Sequence, residues 1–167
     1  TGGIGYQGSP GTPTPTMCGS GGTQTAGGAG ASSYGTPAGT AGAGGNASTS
    51  YCYAGGGGAG YYGGGSGAYG GGGGGSSYIA GTGVTGASTT QDYQSGGGYV
   101  SITPAVPGAA MFTTAGGPYS YTVPCGVTSV SVDMAGGSGG YGYNPISRGG
   151  YGGRVQCTLA VTAGQVL

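Results

Sequence analysis

Side chains able to exchange a proton, hold a metal or attack an electrophile are scarce in this chain. The charged set is Asp92, Asp133, Arg148 and Arg154, with no histidine and no lysine. General acid–base catalysis needs a base with a partner that tunes it. Two isolated carboxylates supply none, so the sequence predicts no enzyme, no cofactor and no metal site. Asp133 and Arg154 read as solvent-facing or mutually paired strand residues. The four cysteines, Cys18, Cys52, Cys125 and Cys157, come without histidine and without a Cys-x-x-Cys spacing, which disfavours zinc. Their even number predicts two disulfides formed in an oxidising compartment. Three pairings are open on sequence alone. Cys125 and Cys157 both fall on apolar strand faces, so a bond between them is sterically allowed if the strands are close, which leaves Cys18 with Cys52.

The elements that must position these residues come from an unusual composition. Of 167 residues 51 are glycine and 15 tyrosine, with one phenylalanine and no tryptophan. Collagen needs glycine at every third position, and runs such as Gly55 to Gly58 and Gly70 to Gly75 break that period. A flexible linker is the default for Gly/Ser-rich chain, but the tyrosines spread through the glycine runs bring apolar area that linkers lack. With 2% charged residues and a formal net charge of zero there is no basic stripe for nucleic acid and no basic face for a membrane surface. No apolar run is long enough to span a bilayer. Low charge also removes the repulsion that keeps proteins monomeric, so the chain is expected to be solubilised by glycans or to assemble.

Thr1 to Pro37 reads as turns and extended chain. Thr12-Pro13-Thr14-Pro15-Thr16 favours polyproline II and is either a site for O-linked sugars at Thr12, Thr14 and Thr16 or a plain rigid loop. Asn46-Ala47-Ser48 is an N-glycosylation sequon. From Ala54 to Ser77 helix is disfavoured, because each glycine costs about 1 kcal/mol against alanine there. Extended threefold segments packed side by side are the ordered alternative to a disordered tether. Ser76 to Ile79 and Gly98 to Ile102 read as strands, and Pro104 and Pro107 mark a linker over 103–111.

The clearest strand patterns lie between Phe112 and Leu167. Tyr119, Tyr121, Val123 and Cys125 share one face; Val130, Val132 and Met134 form a second strand; Val155, Cys157, Leu159 and Val161 form a third. The stretch ends at Gly164-Gln165-Val166-Leu167 with no recognisable turn, which predicts an incomplete sheet open at Val166 and Leu167.

Tyr121-Thr122-Val123-Pro124-Cys125-Gly126-Val127-Thr128-Ser129-Val130, Ala135-Gly136-Gly137-Ser138-Gly139-Gly140, Gly150-Tyr151-Gly152-Gly153-Arg154-Val155 and Thr162 to Leu167 resemble the start of the glycine-rich cell-surface domains of microbial and algal secreted proteins. A related domain occurs in the ectodomains of anaplastic lymphoma kinase and leukocyte tyrosine kinase. The later parts of that pattern stand earlier here, at Thr1 to Gly5, Gly70 to Ile79 and Gly97 to Ile102. The resemblance therefore implies two permuted halves, 1–102 and 112–167, joined by the 103–111 linker. It also implies a mainly β fold: an antiparallel β-sandwich-like sheet with a glycine-rich insert of polyglycine II-type segments and essentially no α-helix.

If each copy completes its neighbour's sheet, contacts are head-to-tail and propagate into fibres. The sequence thus predicts a secreted or cell-surface structural subunit partnered by identical subunits or tandem repeats and carrying glycans. Tyr119, Tyr121, Val123, Val130, Val132, Val155, Leu159 and Val161 would be its assembly strands. The alternative function is a binding module, an adhesin tip or an ice-binding surface.

Overall fold

Without a Cβ, extended backbones can lie closer together than any other residue allows, and the centre of this molecule is built on that approach. The computed structural model describes residues 4–6 (backbone only), 8, 10–12, 16–50, 53–79, 83–104, 110–114, 118–142 and 147–167. Residues 63–67 form one central segment. Gly63 and Ser66 donate their N–H groups to Thr40 and Pro37, Gly64 and Gly67 donate to Gly58 and Gly55, and Gly65 donates to Ser20. Their carbonyls accept from Gly28 and Ala31, from Gly45, and from Gly73. Successive residues thus address three directions in turn, and the pattern repeats after three, as a threefold extended helix requires.

Residues 70–76 form a second such centre. Gly71 donates to Thr12, Gly72 and Gly75 to Gly140 and Gly137, and Gly73 to Gly65. In return Gly55 and Gly58, Gly19 and Gly22, and Gly150 and Gly153 donate to it. The bundle therefore draws on chain from Gly8 to Gly153. Its few non-glycine members are fixed by their own polar groups. Ser76 Oγ donates to the Thr23 carbonyl at 2.7 Å and accepts from the Tyr62 N–H at 3.0 Å, and Thr36 Oγ1 donates to the Ser66 carbonyl at 2.7 Å.

Bundle segments pass directly into strands. The strands are β1 (Ile4–Tyr6), β2 (Ser77–Ile79), β3 (Val84–Gln94), β4 (Tyr99–Pro104), β5 (Ala110–Phe112), β6 (Ser129–Ala135) and β7 (Gly152–Ala160). The architecture is mainly β, with no helix among the described residues and so none long and apolar enough to cross a membrane. β1 and β2 pair as a two-stranded ribbon, and the other five form an antiparallel sheet in the order β3-β7-β6-β4-β5.

The register sorts the sheet's faces. Ile102, Val132 and Cys157 align across β4, β6 and β7, as do Val100, Met134 and Val155. This apolar face packs on Val123, Val127 and Val161, which lie outside the strands, and the cluster they form with Ile102, Val130, Val132 and Cys157 is the core. The opposite face carries Ser101, Asp133 and Gln156 in one row and Thr103, Ser131 and Thr158 in the next, the polar-out alternation expected of a half-solvated antiparallel sheet.

β4 bonds along its length to β6, so residues 99–104 and 129–135 share one sheet within a single chain. Two expectations need correction. The Gly164 end is not open: Gly164 turns with φ 77°, and the following residues fold back antiparallel. Tyr121 and Leu167 exchange N–H···O bonds at 3.0 and 2.9 Å, and Val123 donates to Gln165 at 2.8 Å. Finally, the 119–125 period holds only as far as Val123, because Pro124 and Gly126 (φ 82°) turn the chain and leave Cys125 exposed.

A Cβ at Gly65 or Gly73 would collide with the carbonyl oxygens of Ala29 and Ser20 respectively, whereas one at Gly97 would meet nothing within 4 Å. Gly65→Ala and Gly73→Ala should each destabilise by about 3 kcal/mol, the upper range for overpacking, while Gly97→Ala stays within about 0.5 kcal/mol. Urea unfolding of the three variants checks this, and equal midpoints would refute the close-packing account.

Candidate functional site

Core closure is uneven. Where Val123, Val127 and Val161 cover the sheet, Val130 and Val132 are buried. Towards β5 the same face is only half covered: Val100, Met134 and Phe112 are partly buried. Between this face and the Tyr121–Leu167 ribbon lies an apolar trench of about 540 Å³. Its floor includes Val100, Ile102 and Met134, and its walls include Phe112, Ile79 on β2 and Leu167. Two further cavities of about 200 and 310 Å³ border Val100 as well. The trench therefore separates β2 from the ribbon, the two pieces of a second layer over the sheet.

No charged side chain lines the trench. Gln165, Tyr119 and Tyr121 bring polar groups to it, and of these the Tyr121 hydroxyl is buried with no hydrogen-bond partner among the described residues. Tyr121 is held in place by its ladder bonds to Leu167. Phe112 is braced by Tyr119, whose ring stacks on it at 5.3 Å between centroids, and Tyr119 OH donates to the Thr114 carbonyl at 2.8 Å.

The polar face holds the second group of functional side chains. Asp133 and Arg154 are diagonal neighbours on β6 and β7, Asp133 lying opposite Gln156 and Arg154 opposite Ala135. Arg154 Nε and Nη2 donate to the two carboxylate oxygens at 2.8 and 2.7 Å, a two-pronged pair in which each side chain is about a quarter exposed or less (19% and 27%). The guanidinium lies over the Tyr93 ring, 4.0 Å from its centroid, and Tyr99 OH donates to the same carboxylate at 3.3 Å. The hydrogen bond from Arg154 to Asp133 raises the arginine's pKa. Partial burial, a hydrogen bond with Tyr93 and the Asp133 charge together push Tyr99 up to about 12. Asp133 and Arg154 thus form a mutual pair on a strand face. Tyr93 lies on β3, a strand the sequence analysis did not recognise.

The structure scatters the other predicted residues. Cys125 is an exposed free thiol in the Pro124–Gly126 turn, and Cys157 is a free thiol buried opposite Val132 on β7. The disulfide expected between them is absent because the turn removes Cys125 from the apolar face. Cys18 is buried against Gly70, and its expected partner Cys52 lies outside the described residues. Asn46 is exposed beside bundle residues 43–45, and Thr12 and Thr16 are exposed near Cys18. Thr14 lies outside the described residues. The Thr12 hydroxyl accepts the Arg148 N–H at 3.1 Å.

Of the eight residues read as assembly strands, Val123, Val130, Val132, Val155 and Val161 are buried within the chain itself. Tyr121, Leu159 and Tyr119 line the trench, as does one side of Val132. Sequence reasoning missed the trench as a unit because its walls come from four separate stretches, at Ile79, Phe112, Tyr121 and Leu167. The only local signal was the chain's one phenylalanine.

No protein-family model matches this chain. Neither a curated protein nor a solved structure matches it.

Two measurements follow from the side-chain environments. In the native protein Cys125 should react with a maleimide within minutes. Cys157 should react only on unfolding, because burial both shields it and raises its pKa, leaving little thiolate. Protection of Cys125, or a Cys125–Cys157 cross-linked peptide, would contradict the structure. Tyr99 is also a source of alkaline lability. Its folded pKa lies above the usual tyrosine value of about 10, so its contribution to stability is fully present below pH 10 and is lost as pH rises from 10 towards 12. Tyr99→Phe should show a shallower fall in urea midpoint over that interval than the parent, the other tyrosines being common to both. Parallel curves would remove Tyr99 from this role.

Proposed function

We propose that the chain is a non-enzymatic structural subunit of an extracellular fibril or cell-surface appendage. In this reading identical copies, as separate chains or successive repeats, assemble head-to-tail by lending a β-strand to one another. The observation that carries the reading is the apolar trench between β2 and the Tyr121–Leu167 ribbon. A strand seated there would bridge the two pieces of the second layer, spaced from each by the usual 4.7–4.9 Å between strands. Its alternate apolar side chains would cover Val100, Met134 and Phe112, and its backbone would give the Tyr121 hydroxyl the partner it lacks among the described residues. A buried polar group left unpaired costs about 1–3 kcal/mol, so an occupant with backbone amides is favoured over a purely apolar one.

The sheet edges support the same direction of association. β3, at one edge, breaks register with β7 between Thr85 and Ser88 and between Thr90 and Gln94, and both Gly86 (φ 59°) and Asp92 (φ 55°) have left-handed backbone. β5, at the other edge, is three residues long. Bulges and short strands blunt edge-to-edge addition. With zero net charge there is little repulsion between copies, so contact falls to the trench. Glycans on the exposed Asn46 would keep the remaining surface soluble.

The test is assembly of the parent against variants that place a charge in the trench. Sedimentation and negative-stain microscopy of the parent should show concentration-dependent filaments. Phe112→Asp and Leu167→Asp should raise the concentration needed for assembly at least tenfold, while Met111→Ser, at an exposed position of β5, leaves it unchanged. A parent that stays a compact monomer at high concentration would sink the reading in favour of a binding module.

A further inference from the structure

We infer that Tyr61 and Tyr78 are the site of an intramolecular oxidative cross-link, a carbon–carbon bond between the two phenol rings made in the folded chain by a haem peroxidase using hydrogen peroxide. The rings stack with centroids 4.5 Å apart and planes inclined by 23°, which places ring edges of one over the other. Tyr62 meets Tyr61 edge-on at 5.2 Å, so Tyr61 is in contact with both other rings. Access is open: Tyr61 is 47% exposed, and a cavity of about 310 Å³ bordered by Tyr61, Tyr78 and Ser76 reaches the pair.

The chemistry balances with one peroxide per link. Each phenol gives up one hydrogen atom, as an electron and a proton, to the peroxidase, leaving two phenoxyl radicals. Their unpaired electrons combine at carbons ortho to the oxygens, and the two displaced ring hydrogens return to the oxygens, so the product keeps both hydroxyls. Peroxide takes up the two electrons and two protons as two waters. Held in contact, the rings couple as a unimolecular pair, and positioning of this kind outweighs encounters between separate molecules. The exposed Tyr69 also has a ring neighbour, but it meets Tyr34 edge-on, at 5.4 Å between centroids and 75° between planes, a longer and more inclined approach than that of Tyr61 to Tyr78.

The place of the bond gives it a consequence. Tyr61 lies two residues before the 63–67 segment and Tyr78 two residues after the 70–76 segment, so the loop closed between them contains both centres of the glycine bundle. Closing a loop restricts the unfolded chain and so favours the folded state, and here the restricted stretch is the one richest in glycine, whose unfolded freedom is greatest. The cross-link would staple the bundle where it passes into β2.

The experiment treats the full chain, at a concentration where it is monomeric, with hydrogen peroxide and a haem peroxidase, followed by intact mass and peptide mapping. The expected product is a monomer lighter by two hydrogens, with a cross-linked peptide joining Tyr61 to Tyr78 and a higher urea midpoint. Tyr78→Phe and Tyr61→Phe each keep the ring and its packing but cannot form the phenoxyl radical, so each should lower the yield at least tenfold. Tyr141→Phe should leave it unchanged. Persistence of the product in Tyr61→Phe would move the bond to Tyr62 and overturn the assignment. Cross-links confined to Tyr53, Tyr69 or Tyr141, or found only between molecules, would overturn it as well.

Discussion

Every other element hangs on the period-three backbone bonding around residues 63–67 and 70–76. Each of these two segments contacts six neighbours through main-chain N–H and C=O groups, and a buried backbone group must find such a partner or carry the cost of desolvation. Glycine enters the folded state at an entropic disadvantage. The lattice offsets it because the absent side chains let main chains approach closely enough to saturate in all directions at once. Substituting any larger side chain at the centre breaks several of those bonds together. Serine is tolerated at Ser66 and Ser76 because each hydroxyl joins the bonding, Ser66 Oγ donating to the Pro37 carbonyl at 3.1 Å.

The sheet inherits its geometry from that bundle. β2 continues from residues 70–76, β6 runs into 136–140, and β7 grows out of 147–153, so three strands leave the lattice already spaced and oriented. This explains how a chain with so few large apolar residues holds a sandwich-like fold. The core needs only the seven-member cluster around Val130 and Val132, because register is imposed from the bundle end as well as by the hydrophobic pattern. The same economy leaves the second layer thin. Ile79 and Leu167 stand on opposite walls of the trench, and the described residues contain no strand between them.

Much of this was legible where apolar residues alternate. The patterns at Val130–Met134, Val155–Leu159 and Val100–Ile102 became β6, β7 and β4, since a period of two with one buried face specifies both strand and face. β3 was not legible: Val84–Gln94 is almost wholly polar and interrupted by Gly86, and it is a strand because it lies at the edge of β7, with its own side chains mostly in solvent. Cys125 was misplaced because alternation was carried through Pro124, where the chain turns. The return of Gln165–Leu167 onto Tyr121–Val123 hung on Gly164 adopting left-handed backbone, a choice that glycine permits without announcing. The trench had no linear signature, since its walls are brought together only by the fold.

The distribution of charge follows from the same constraint. A lattice of main-chain bonds has no room for ionised side chains, so the chain's charges are confined to the sheet and the bundle's rim. Two of the four are consumed in the Asp133–Arg154 pair, where Tyr93 and Tyr99 complete the contacts and no net charge is presented. A surface without charge gains little from long-range steering and little protection from repulsion. In the assembly we propose, recognition would then rest on shape, apolar contact and unpaired polar groups. The Tyr121 hydroxyl and the uncovered faces of Val100, Met134 and Phe112 supply these in one place, while the bulges of β3 and the brevity of β5 withhold them at the sheet edges. The glycine bundle that makes the fold feasible with so small a core is therefore also what leaves this apolar groove uncovered among the described residues.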